Sequence, residues 1–192
     1  MNLEEVESLW EKYESLLKQM SGDNADAVST LTEELGQRIL MAPASRMADE
    51  YNAELGGLVA HSLEVAQWVM KLADSYGLDN KRETVFVALL HDLGKIGDLE
   101  NDYFIDQDSD WHRDKLGAFY KWNPDCPKMS VTHRTLFLLQ NYNIRLTREQ
   151  WVAVQVSSGS HFEENRFYVG SEPLMAVVLQ HAKQMAIRGH KA

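Results

Sequence analysis

The chain has 192 residues, 44% of them hydrophobic, enough for a sizeable core in one domain. With 29 acidic against 19 basic residues its formal charge is −10, which argues against sequence-independent grip on a nucleic acid backbone but leaves a small nucleotide open as a partner. Cys126 is the single cysteine, so no intrachain disulfide forms and a reducing, cytoplasmic setting is expected; neither a signal-peptide pattern nor a membrane-spanning apolar run is present.

Leu3, Val6, Leu9, Trp10, Tyr13, Leu16, Leu17 and Met20 recur at helical spacing and predict an amphipathic helix ended by Ser21-Gly22. Its stripe can dock on its own domain or on a second subunit, which leaves a homo-oligomer through the N-terminal helices open. A second helix, about 25–41, stops before Pro43. A polar connection then leads to Gly56-Gly57 and to a helix that begins near His61 and ends at Gly77. The run Val85 to Leu90 predicts a buried helix over about 80–93 that delivers His91 and Asp92 at its end.

Residues 98–128 break the helical pattern and predict a short β-hairpin or a long lid. A helix over about 129–142 follows Pro124 and Pro127. Thr147 is a suitable N-cap for another, about 148–157, with Trp151, Val152, Val154 and Val156 facing mostly inward. After a polar loop, Pro173 opens a last helix to about 188. The fold expected is all-α, a bundle of about six or seven helices with a small β-hairpin insertion.

His91 and Asp92 are metal-ligand types at the end of a core element, and neither is cheap to bury without a partner. His61 is the best candidate to join them. At these residues the chain resembles the HD superfamily of metal-dependent phosphohydrolases, through GGLVAHSLEVA (56–66) followed by ALLHDLGKIG (88–97). The downstream half is similar to small HD proteins of bacteriophages, through MSVTHRTLFLL (129–139) and the region 159–168. The resemblance begins near residue 43, so 1–42 reads as an N-terminal helical extension packed on the same globule and 43–192 as the HD-type helical domain.

The resemblance implies a phosphohydrolase acting on a nucleotide or related phosphoester, in the host cytoplasm if phage-encoded, with one divalent transition metal (Mn, Ni, Co or Zn) held by His61, His91 and Asp92. It assigns Lys95 and His133 to the substrate phosphate and, with Asp92, to catalysis. In the family an aspartate from a late helix completes the ligand set; the residue aligned with it is Lys183. Either Lys183 pairs with Asp92 in place of the metal, in an inactive homologue that binds a ligand or protein partner, or it snorkels outward on its aliphatic stem. Ser157 and Ser158 stand where two-metal relatives carry a histidine pair, and Tyr51 and Asn52 where others carry histidines, so a two-metal centre is not expected. Asp98 or Asp102 is a candidate replacement ligand.

Arg166, in a polar cluster with His161, Glu163, Glu164 and Asn165, is a candidate phosphate clamp, against the reading of that cluster as a solvated loop. Tyr103, Phe104 or Trp111 is a candidate base-stacking group. His181 shares a stripe with Leu174, Val177, Val178 and Met185 and reads as a hydrogen-bonded core histidine. His112 and His190 carry no signal, and Cys126 reads as structural. A further resemblance, of 43–97 to the HD domain of a bacterial 3′–5′ exoribonuclease, raises RNA cleavage as a third reading, which the acidic balance opposes.

Overall fold

Asn2 opens the first helix by a reciprocal cap: its side chain accepts the Glu5 N–H while the Glu5 carboxylate accepts from the Asn2 backbone. The computed structural model describes residues 1–189, and His190 lies outside them. In chain order the helices are α1 (Leu3–Met20), α2 (Ala25–Met41), α3 (Gly57–Tyr76), α4 (Lys81–Leu90), α5 (Asp110–Leu116), α6 (Val131–Asn141), α7 (Arg148–Val156) and α8 (Leu174–Gly189). That is one or two more than the sequence pattern predicts, because α5 forms inside the segment expected to be a hairpin or lid.

Helix α3 is the centre of the bundle and packs against both α4 and α8. The stripe of α1 is laid on this same core: Tyr13 and Leu17 are buried with Val65, Leu89 and Leu90, and the Tyr13 hydroxyl donates to the Leu89 carbonyl at 3.0 Å. Helix α2 adds Val28, Leu31, Leu35 and Ile39. Gly57 lets α3 start beneath the preceding loop, since a Cβ there would lie 2.0 Å from the Asn52 carbonyl oxygen.

Helix α4 ends at Leu90, earlier than the apolar pattern suggests. His91 and Asp92 sit in a turn that runs into one 3₁₀ turn, Leu93–Ile96. The cause is α6, which packs against this turn. Thr135 Oγ1 accepts the Gly94 N–H at 2.8 Å and donates to the His91 carbonyl at 3.3 Å, taking over backbone groups that a continued helix would pair internally.

The 98–128 segment forms a two-stranded antiparallel hairpin, β1 (Phe104–Asp106) with β2 (Tyr120–Trp122), in the register Phe104 to Trp122 and Asp106 to Tyr120. Helix α5, capped by Ser109, lies between the strands. The hairpin is tied down rather than loose: Ala48 N–H donates to the Gly117 carbonyl at 2.7 Å, Phe119 N–H to Arg46 at 3.0 Å, and the Arg46 guanidinium lies 3.8 Å over the Trp122 ring. Thr147 caps α7 in a reciprocal arrangement with Gln150. Trp151 is exposed, contrary to the inward placement expected, while Ala153, Val154 and Val156 are buried. Cys126 is buried and free. No helix among the described residues is long and apolar enough to cross a membrane.

Candidate metal centre

His61 projects from the second turn of α3, His91 and Asp92 from the turn after α4, and Lys183 from the buried face of α8. The two imidazoles and the carboxylate are fully buried. One donor atom from each of His61, His91 and Asp92 lies within 4.8 Å of the others. His61 Nε2 is 3.9 Å and His91 Nε2 3.5 Å from Asp92 Oδ2. The short contact of His91 Nδ1 with the Ala88 carbonyl, 2.7 Å, assigns the proton to Nδ1 and leaves Nε2 as a lone pair turned toward the cluster. Among the described residues neither His61 nitrogen, nor His91 Nε2, has a hydrogen-bond partner.

Two ammonium groups share the carboxylate. Lys183 Nζ donates to Asp92 Oδ1 at 2.8 Å. Lys95 Nζ lies 2.8 Å from Asp92 Oδ2, a close ion pair set off the hydrogen-bonding direction of that oxygen, and donates to the Tyr51 hydroxyl at 2.9 Å. The Tyr51 ring in turn packs on His61, with centroids 4.5 Å apart. Burial by itself raises the pKa of Asp92, but Lys183 and Lys95 outweigh it and hold the carboxyl well below the usual range. Burial, reinforced by Lys95, pushes His61 well down against the pull of Asp92. His91 falls to about 4, chiefly through burial. Burial opposes the charge on Lys95, yet Asp92 and Tyr51 raise its pKa above the ordinary lysine value. Both imidazoles are thus neutral and the carboxylate ionised at neutral pH.

The other residues singled out in the sequence lie elsewhere. His133 is on the exposed first turn of α6 and lines an outer cleft with Phe137, Arg145 and Trp151. Arg166 is exposed in the 3₁₀ turn Glu163–Tyr168, 3.9 Å from the Glu163 carboxylate. Neither reaches the cluster, because α6 presents Thr135 and Arg134 to the His91-Asp92 turn and leaves His133 on its outer side. Ser157 is buried with its hydroxyl unpartnered among the described residues, and Ser158 is half-buried. Asp98 Oδ1 accepts from the Glu100 and Asn101 N–H groups and Asp102 pairs with Arg38 of α2 at 2.8 Å, so Asp98 is engaged by its own loop and Asp102 by α2. His161 is exposed against Phe162, and His112 bonds Ser109. His181 is exposed rather than in the core and meets the Tyr76 hydroxyl at 2.7 Å, because α8 turns the face of Met175, Leu179, Ala182 and Lys183 inward.

Three residues that shape the site carry no signal in the sequence. Arg134 is 2% exposed; it donates to the Gly94, Pro127 and Met129 carbonyls and stacks on Tyr103, joining the 3₁₀ turn to the end of the hairpin segment. Arg38 donates to the Ile96 and Asp98 carbonyls. Thr135 fixes the backbone of His91 and Gly94. Their partners are mostly carbonyls, which leave no mark on residue spacing.

Residues 58–120 match the family model of the HD domain. Over this stretch the chain is similar to the HD domain. The match spans about a third of the sequence, includes His61, His91, Asp92 and Lys95, and stops well short of Lys183. It supports placement in the superfamily of metal-dependent phosphohydrolases, whose members bind divalent metals. No curated protein and no solved structure matches the chain.

The buried donors of this cluster fit a divalent metal in kind and spacing. Two imidazoles and a carboxylate converge, and nitrogens buried without partners are costly unless something binds them. The ligand set from the described residues numbers three, as in metal sites that keep a coordination position for water or substrate.

Proposed function

We propose that the chain is an HD-type phosphoester hydrolase with a single divalent transition metal (Mn, Ni, Co or Zn) held by His61, His91 and Asp92, acting on a nucleotide or related phosphoester. The observation that carries this reading is the set of unpartnered imidazole nitrogens beside a buried carboxylate. When bound, the metal supplies Lewis-acid polarisation of a phosphoryl oxygen and acidifies a bound water.

The chain's own residues prepare for that chemistry. The Ala88 carbonyl fixes the His91 tautomer, burial keeps both imidazoles neutral, and Lys95 stands as a cation at the edge of the cluster where a phosphate would meet it. A cleft of about 580 Å³ leads to Lys95 between the end of α2 and the hairpin, with Arg38, Tyr103, Phe104 and Tyr120 in its wall. Its aromatics suit a base. A larger cleft, about 1070 Å³, lies between the α1–α2 turn and the α6–α7 connection and contains none of the cluster residues; size therefore does not locate the chemistry.

The test is a hydrolysis screen over nucleotides and simple phosphoesters, in the presence of each of the four metals, on protein purified without chelator. Release of phosphate or nucleoside by the native chain and its loss in His91→Ala supports the reading. Hydrolysis that survives His91→Ala, or no hydrolysis with any metal by either the native chain or Lys183→Asp, overturns it.

A second reading, favoured by the Lys183 to Asp92 contact, is an HD homologue that binds its ligand or partner without hydrolysis. It predicts phosphoester or partner binding that needs no added metal.

A further inference from the structure

We infer that Lys183 is a built-in cation that competes with the metal for Asp92, so that the resting HD site excludes a dication until this ammonium is withdrawn. The inference rests on the reading of His61, His91 and Asp92 as ligands and adds a control on when they bind. Three observations converge on it.

First, the lysine belongs to the cluster. Lys183 is 7% exposed, in line with Ala182 and Ala186 on the buried face of α8, and its ammonium lies on Asp92 Oδ1 at 2.8 Å. A snorkelling side chain would carry that group to solvent. Second, Lys95 Nζ lies 2.8 Å from the other oxygen, so a dication bound at Asp92 would stand beside two buried ammonium groups. Third, Asp92 with Lys183 and Lys95 already carries a formal charge of +1 without any metal. Exchanging a carboxylate for an ammonium at position 183 changes the charge by the same amount that a bound dication would. The imidazoles remain as spare donors because the lysine replaces the charge of the cation but not its capacity to accept their lone pairs.

A dication and an ammonium within a few ångströms repel strongly in a buried site, so removal of the charge on residue 183 should raise metal affinity without any new ligand. Lys183→Met keeps the aliphatic stem and deletes the charge. Lys183→Asp deletes the charge and adds a carboxylate. Lys183→Arg keeps the charge.

The experiment is a cobalt(II) titration of the full chain, followed by visible absorption and calorimetry, on the native protein and these variants, with His91→Ala added to Lys183→Met as the site control. Melting temperatures establish that each variant is folded, and Lys183→Gln serves if Lys183→Met is not. The expected result is weak or undetectable binding by the native chain and Lys183→Arg, binding at least about tenfold tighter in Lys183→Met, tighter again in Lys183→Asp, and loss of binding with His91→Ala. Native binding as tight as that of Lys183→Met overturns the inference while leaving the three-ligand centre intact. Absence of binding in every folded variant overturns both.

Discussion

Lys183 Nζ and Asp92 Oδ1 are 2.8 Å apart across 91 positions of sequence, and the same carboxylate holds Lys95 at 2.8 Å on its other oxygen. The two ion pairs are unequal in what their loss leaves behind. Removal of the carboxylate strands two buried ammonium groups, whereas removal of Lys183 still leaves Asp92 compensated. Breaking a buried pair costs about 3–5 kcal/mol when a charge is left unpaired. Asp92→Asn should therefore lose about 3 kcal/mol or more in urea unfolding measured with chelator, and Lys183→Met clearly less. Equal losses would show that Lys95 does not compensate the carboxylate.

Stability should fall on mild acidification. His91 titrates near 4 in the folded chain against 6.5 unfolded, and His61 is shifted the same way. Between these values the unfolded state holds more protons than the native state, so lowering pH through that window favours unfolding, by about 3 kcal/mol at most from His91 alone. Asp92, also depressed, adds its loss only as the pH drops below about 4. Lys95, raised, contributes up to the ordinary lysine range and loses its contribution only at strongly alkaline pH. Melting temperatures in chelator should drop from pH 7 to pH 5, with a smaller drop in His91→Gln. A flat profile would show that the imidazoles are not buried as described.

Gly94 is required for the approach of α6 to the His91-Asp92 turn. A Cβ at this position would lie 2.3 Å from the Val131 carbonyl oxygen and 2.8 Å from the Thr135 nitrogen, and the obstacle is backbone that cannot rotate away. Gly94→Ala should cost at least about 2 kcal/mol and weaken metal or phosphoester binding as the turn shifts. A melting temperature unchanged within error would contradict the packing.

Arg134 bonds three carbonyls with one planar group, a pattern that lysine cannot reproduce. Arg134→Lys and Arg134→Met should both destabilise by about 2–4 kcal/mol, since buried acceptors are left unpaired. Limited proteolysis should cut faster within 98–128 in both variants. Full rescue by lysine would show that the charge, not the fork of donors, matters.

Period, caps and motif order were legible in the sequence. The recurrence of Leu3 to Met20, the Thr147 cap and the Gly77 stop depend on residues within a turn or two of one another, and the order of His61 before His91-Asp92 is read directly along the chain. Other features depend on which faces meet. On α8 two neighbouring stripes are both apolar enough to face the core; packing against α3 chose the one with Lys183 and turned His181 outward. On α6 the same selection brought Arg134 and Thr135 inward and left His133 in solvent, and Arg166 stayed with Glu163 on an exposed turn. The donor types of the site were therefore set by sequence, while the partner of Asp92 was decided by the burial of an ammonium that had to find a counter-charge across the core.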